Sequence, residues 1–236
     1  MNIRSPAREA VWGAGATVVS LFGGTLLGVL LGEFVFEILP GHRIEDPSPV
    51  TIALAAIPAI GGLMAGGAAW GLLMHRLSRS GESRRMAVAG LLGFAPTTFV
   101  LAFVLLSLES AVATALEAQL PVHRLFTIVF TVCAFLIAGI STWAVGRGLR
   151  EPEWAWRMAL RVGLASAAAF LVVNLTMEAA GWVVGAPRAA ERATMLTVMF
   201  SGMLGAGLIG GGLFGMALSQ RYASHAPVET STSVSG

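Results

Sequence analysis

Six stretches of this chain carry no charged side chain: residues 10–32, 47–74, 86–108, 125–146, 162–177 and 193–220. A helix of about twenty apolar residues, rising 1.5 Å per residue, crosses a hydrocarbon core of roughly 30 Å. Six such runs within 236 residues leave space for membrane helices and short connections only. The sequence therefore predicts an all-α, polytopic integral membrane protein with six transmembrane helices. The expected organisation is a cytoplasmic N-terminus at 1–9, a transmembrane domain at 10–221 and a disordered polar cytoplasmic tail at 222–236.

Composition narrows the chemistry. Charged residues are 12% of the chain, about half the share found in soluble domains. A net charge of +2 without a soluble basic patch gives nucleic acid nothing to bind. All 15 cationic residues are arginines, so no lysine is present to form a Schiff base. Cys133 is the single cysteine, which excludes an intramolecular disulfide. Arg4 and Arg8 precede an apolar stretch of 23 residues. That is longer than the 7–15 of a signal-peptide core, so the stretch reads as a first spanning helix.

The arginines orient the chain, because cytoplasmic loops near helix ends collect positive charge. Eleven of them (Arg4, Arg8, Arg76, Arg79, Arg84, Arg85, Arg147, Arg150, Arg157, Arg161 and Arg221) fall at every second connection or at the termini. Only Arg43, Arg124, Arg188 and Arg192 occupy the others. Both termini are expected in the cytoplasm, and the expected location is a bacterial inner membrane. The fifth run, 16 residues long, can span if Arg161 snorkels and Trp154, Trp156 and Trp182 sit at the interfaces.

Short internal echoes suggest three repeated helical hairpins. RMAVAGLLG at 85–93 and RMALRVGLA at 157–165 each enter an odd-numbered helix, and REAVWGAGA at 8–16 is a weaker relative. The even helices share Ala65-Gly66, Ala138-Gly139 and Ala206-Gly207, with Trp70 and Trp143 four residues after the first two. The plainer explanation is chance among abundant Ala, Gly, Leu and Val.

Glycine accounts for 29 residues, above the average share of about 7%. Gly24, Gly28 and Gly32 recur at i, i+4, i+8, as do Gly207, Gly211 and Gly215; Gly62 and Gly66 form a shorter row. Such rows let two backbones approach closely, which is how helices associate where lipid removes the hydrophobic drive. Contact among the first, second and sixth helices is expected, although the same rows could face another subunit.

Polar groups at membrane depth are the default functional candidates because they are costly there. Pro58 and Pro96 lie mid-run, and Thr97 and Thr98 could satisfy carbonyls freed by a kink. Glu33 and Glu37 are one turn apart near the end of the first run. Asn174 and Glu178 share a face of the fifth. If those helices converge, the four would form an outward polar cluster for a cation or amine. The alternative is that the glutamates mark the headgroup boundary and Asn174 bonds a neighbouring helix. The histidines (His42, His75, His123 and His225) sit at ends or in loops, unsuited to an axial haem pair. No phosphate loop, nucleophile elbow or zinc-binding HExxH is present. Catalysis thus lacks support, and no metal or cofactor is expected. Two functions remain: a small transporter, channel or solute-binding membrane component, or a structural or assembly subunit of a larger complex. The expected partners are the lipid bilayer and either a second membrane protein or further copies of the chain.

Overall fold

A computed structural model describes residues 5–38, 49–78, 83–94, 122–181 and 188–223, and all of its regular structure among them is helical. The helices are α1 (Pro6–Ile38), α2 (Pro49–Ser78), α3 (described over residues 83–94, leading into the third run), α4 (Val122–Gly148), α5 (Pro152–Ala179) and α6 (Arg188–Ala223). Four segments are long and apolar enough to cross a membrane: Pro6–Gly32, Thr127–Gly148, Pro152–Ala179 and Phe200–Arg221. Their outer faces carry Val19, Leu26, Leu30, Val132, Leu164, Val172 and Leu208, all exposed. Continuous apolar surface of this kind is a liability in water and ordinary against lipid. These features agree with an integral membrane protein.

Local chemistry sets several helix ends. Ser5 caps α1, its Oγ accepting from the Arg8 backbone N–H at 3.3 Å, and Pro6 takes the first helical position, where its missing N–H is harmless. The α4–α5 turn is closed by two bonds, from the Arg150 N–H to the Arg147 carbonyl (3.0 Å) and from the Glu151 N–H to the Gly146 carbonyl (3.3 Å). This is the Schellman arrangement, and it places Arg150 in the left-handed region at φ 63°. Pro152 then starts α5. Gly181 (φ 75°) ends it, donating to the Glu178 carbonyl. α2 continues through Pro58.

The six helices close into a ring in chain order. α1 packs on α2 and α6, and α5 on α4 and α6. α3 fits between α2 and α4, with Gly90 against the Gly67 and Gly71 backbone and Gly93 against Ser141 and Ala144. Successive helices run in opposite directions, so Arg8, Arg76, Arg84, Arg147, Arg157 and Arg221 gather at one end. There Arg221 Nε donates to Glu151 Oε2, tying the end of α6 to the start of α5. The core at this end contains Met74, Met86, Val145, Phe214 and Leu218. A second cluster, Phe130, Cys133, Ala134, Phe170 and Ala206, joins α4, α5 and α6 farther along.

Glycine enables the closest approaches. A β-carbon built on Gly24 would stand 2.7 Å from the Gly62 carbonyl oxygen and 2.9 Å from the Gly66 α-carbon. One on Gly62 would meet the Gly28 backbone nitrogen and the Gly24 carbonyl. On the other side of α1, Gly13 lies against Gly211 and Gly215, with the Gly215 α-carbon 2.8 Å from where its β-carbon would be. No side chain larger than hydrogen fits these seams without moving a backbone. Gly32 differs: nothing among the described residues lies within 4 Å of its missing β-carbon.

Candidate functional site

The centre of the ring is not filled. A cavity of about 50 Å³ is lined from all six helices: Thr17 and Leu21 from α1, Trp70 from α2, Phe94 from α3, Ser141 and Thr142 from α4, Val162 and Ser166 from α5, and Met203, Gly207, Gly210 and Phe214 from α6, among others. Among the described residues, no lining side chain is charged. The wall is aliphatic and aromatic carbon interrupted by hydroxyls.

Those hydroxyls are differently committed. Thr17 Oγ1 accepts from the Trp70 indole Nε1 at 2.8 Å and donates to the Gly13 carbonyl on its own helix at 2.9 Å. Ser166 Oγ donates across to the Ala206 carbonyl at 3.2 Å. Ser141, only 3% exposed, has no hydrogen-bond partner for its Oγ among the described residues. Toward the arginine-rich end, aromatic rings pack against one another, Trp70 and Phe214 stacked and the other pairs tilted. Trp70 lies 5.8 Å from Phe94 and 5.6 Å from Phe214 between ring centroids, and Phe214 lies 6.1 Å from Trp154.

The polar residues singled out in the sequence lie elsewhere. Asn174 is buried in the α5–α6 seam, where its Nδ2 donates to the Phe170 carbonyl one turn back at 2.9 Å and its Oδ1 has no partner among the described residues. A β-carbon on Gly202 of α6 would come within 2.8 Å of that amide nitrogen. Glu178 accepts from Arg124 Nη2 at 3.2 Å, an ion pair joining the far ends of α5 and α4. The α1 backbone includes Glu33 and Glu37, but their side chains lie outside the described ones, as do Thr97 and Thr98 entirely. α1 and α5 each pack on α6, which stands between them.

The helix-packing glycines separate into groups. Gly24, Gly28, Gly62 and Gly66 meet at the α1–α2 seam, and Gly211 and Gly215 meet Gly13 at the α1–α6 seam. Gly207 lines the cavity, with only the Val18 and Thr17 methyls near its missing β-carbon, at 3.6 and 3.8 Å. The two tryptophans of the even-helix echo are also placed differently. Trp70 is buried at the centre, whereas Trp143 is 41% exposed with the Arg147 guanidinium over its ring at 5.6 Å.

Sequence reasoning passed over Thr17, Ser141, Thr142 and Ser166. One clue was present, since Ser141-Thr142 is the only adjacent pair of hydroxyl residues in the fourth run. Compared with family models, curated proteins and solved structures, the chain matches none, so a functional reading has to come from the geometry of the ring.

Proposed function

We propose that this is a six-span membrane protein that binds a small solute in its central cavity, as a non-enzymatic transporter, channel or binding component. The observation that carries the reading is a cavity to which every helix of the ring contributes. Ligand sites in membrane bundles lie at such convergence points, near the bilayer midplane. Six spans are supported by the uncharged runs and cytoplasmic termini by the arginine distribution, and an inner-membrane location is part of the same proposal. The gathering of those arginines at one end of the ring supports that orientation.

A three-hairpin plan is supported at the odd helices. Met86 and Met158 are both buried, while Val88 and Leu160, like Leu92 and Leu164, are both exposed. The differing environments of Trp70 and Trp143 weigh against it at the even helices. We favour a repeat limited to the entry segments of α3 and α5.

The test is purification from native membranes in mild detergent, followed by mass spectrometry of small molecules retained by the protein. Wild type is expected to retain a solute that Gly207→Val, which places two methyl groups toward the cavity, releases while the protein still elutes normally. Equal retention by both proteins would place binding outside the ring centre.

One observation favours the second reading, an assembly subunit. Gly15 and Gly23 lie on the exposed side of α1 beside Val11 and Val19, and nothing among the described residues is within 4 Å of either missing β-carbon. A partner helix could approach closely there. Gly15→Leu and Gly23→Leu are then expected to lose a co-purifying membrane protein or a second copy. A wild-type protein that is monomeric in native nanodiscs would remove this reading.

A further inference from the structure

We infer that the solute taken by the central cavity is small and uncharged, and that it is anchored by a hydrogen bond to Ser141 Oγ. The inference rests on the cavity being the solute site and adds the chemical class that the site selects. Size is the first constraint. The cavity measures about 50 Å³; a water needs roughly 10–15 Å³ and a cavity of about 150 Å³ takes benzene, so the occupant has about two to five non-hydrogen atoms. Charge is the second. With no ionisable side chain among the described lining residues, an ion entering the cavity would lose its water and gain no counter-charge from them. A short alcohol or a compact amide fits both constraints.

The anchor is identified by comparing Ser141 with other hydroxyls of the bundle. Thr17, Thr25, Thr131 and Thr176 each donate to the carbonyl four residues back in their own helix, at 2.6–2.9 Å. Ser166 spends its proton on the Ala206 carbonyl. Ser141 does neither, although it is buried like Ser166 and lines the same cavity. A buried hydroxyl without a partner is unfavourable, and a solute bearing an oxygen or N–H group removes that penalty on binding. The indole of Trp70 forms part of the same wall, so it senses occupancy directly.

The experiment uses full-length protein in nanodiscs, labelled with 5-fluorotryptophan and observed by 19F NMR. The Trp70 resonance is assigned by its loss in Trp70→Phe. The lipid-side tryptophans Trp143 and Trp156 report general partitioning into the bilayer. Xenon tests whether the cavity can be entered, and propan-2-ol tests the uncharged class. Acetate and isopropylammonium are charged probes of matching size. The Trp70 resonance is expected to move with xenon, and to move saturably with propan-2-ol while Trp143 and Trp156 do not saturate. Neither ion should move it. Ser141→Ala, checked by unchanged dispersion of the other tryptophan resonances, should weaken the propan-2-ol response by about fivefold, the worth of one hydrogen bond, and leave the xenon response intact. A Trp70 resonance indifferent to xenon would overturn the cavity reading itself. A xenon response accompanied by equal response to the ions, or by no loss in Ser141→Ala, would overturn the solute class and its anchor while leaving the cavity as the site.

Discussion

The indole N–H of Trp70 points from α2 to the hydroxyl of Thr17 on α1, 2.8 Å away, and that hydroxyl passes its own proton to the Gly13 carbonyl. Gly13 is where α1 touches Gly211 and Gly215 of α6. One side chain of modest size thus couples three helices at the lower rim of the cavity. Thr17→Val keeps the shape and removes both bonds, leaving a buried indole donor unpaired. The expected cost is about 1–3 kcal/mol, read as a lowered midpoint of thermal unfolding in detergent, with Thr17→Ser restoring most of it. In the Trp70→Phe background the indole donor is already absent, so the same Thr17→Val change should cost clearly less. Equal costs in the two backgrounds would show that the bond carries no coupling.

Gly211→Ala attacks the same point from α6. Its new methyl would overlap Thr17 Oγ1 and stand 2.6 Å from Thr17 Cβ and 2.8 Å from the Gly13 carbonyl oxygen. Helix propensity alone would favour alanine by about 1 kcal/mol, so any loss measures the collision. Gly211→Ala and Gly62→Ala are expected to destabilise by about 2 kcal/mol or more, in the range of overpacked cores. Gly23→Ala, facing open space, should be neutral or stabilising. Thermal unfolding of the three variants side by side decides the matter: if Gly23→Ala is as damaging as Gly62→Ala, the described seams are not what holds the ring.

The helical content was readable from the sequence because absence of charge over a bilayer's thickness needs no partner to interpret. The ring centre was not. A helix surrounded by lipid has no polar face, so the periodic contrast that shows the inward side of a soluble helix is erased. Thr17, Ser141 and Ser166 look in sequence like Thr25, whose hydroxyl simply bonds its own helix. What separates them is the neighbour each one faces, and only the packing of α1, α4, α5 and α6 supplies that. The glutamates and Asn174 drew attention because ionisable and amide groups are expensive in lipid, yet Asn174 spends its donor on α5 and Glu178 binds Arg124. Glu33, Glu37, Thr97 and Thr98 lie outside the described side chains.

The Arg124–Glu178 pair leads to a contrasting expectation. Arg124 is two-thirds exposed and Glu178 one-quarter, and exposed ion pairs contribute about 0–1 kcal/mol. Glu178→Gln should therefore leave the unfolding midpoint nearly unchanged, with a slight effect that disappears in high salt. Because the fold survives, the variant also reports cleanly on function. Solute retention by the ring centre should be unaffected, whereas lost retention in an intact Glu178→Gln protein would move the binding site to the Arg124–Glu178 end of α4 and α5.

Arg150 gives the last expectation. It occupies the left-handed position that ends α4, where a β-carbon costs roughly 1 kcal/mol or more and glycine costs nothing sterically. The two turn-closing bonds come from backbone groups, so they survive any substitution that keeps φ positive. Arg150→Gly is expected to hold the turn as well as wild type or to stabilise it by up to about 1 kcal/mol. Arg150→Val, branched at the crowded carbon, should destabilise it by a similar amount or more. Both variants lose the same charge, so the difference between them isolates backbone strain from electrostatics. Hydrogen exchange at the Glu151 amide, which bonds Gly146, is the local readout: protection should rise from Val to Arg to Gly. Equal protection in the Gly and Val variants would mean that the turn is held by its surroundings, including the Arg221–Glu151 pair, and not by the conformational preference of residue 150.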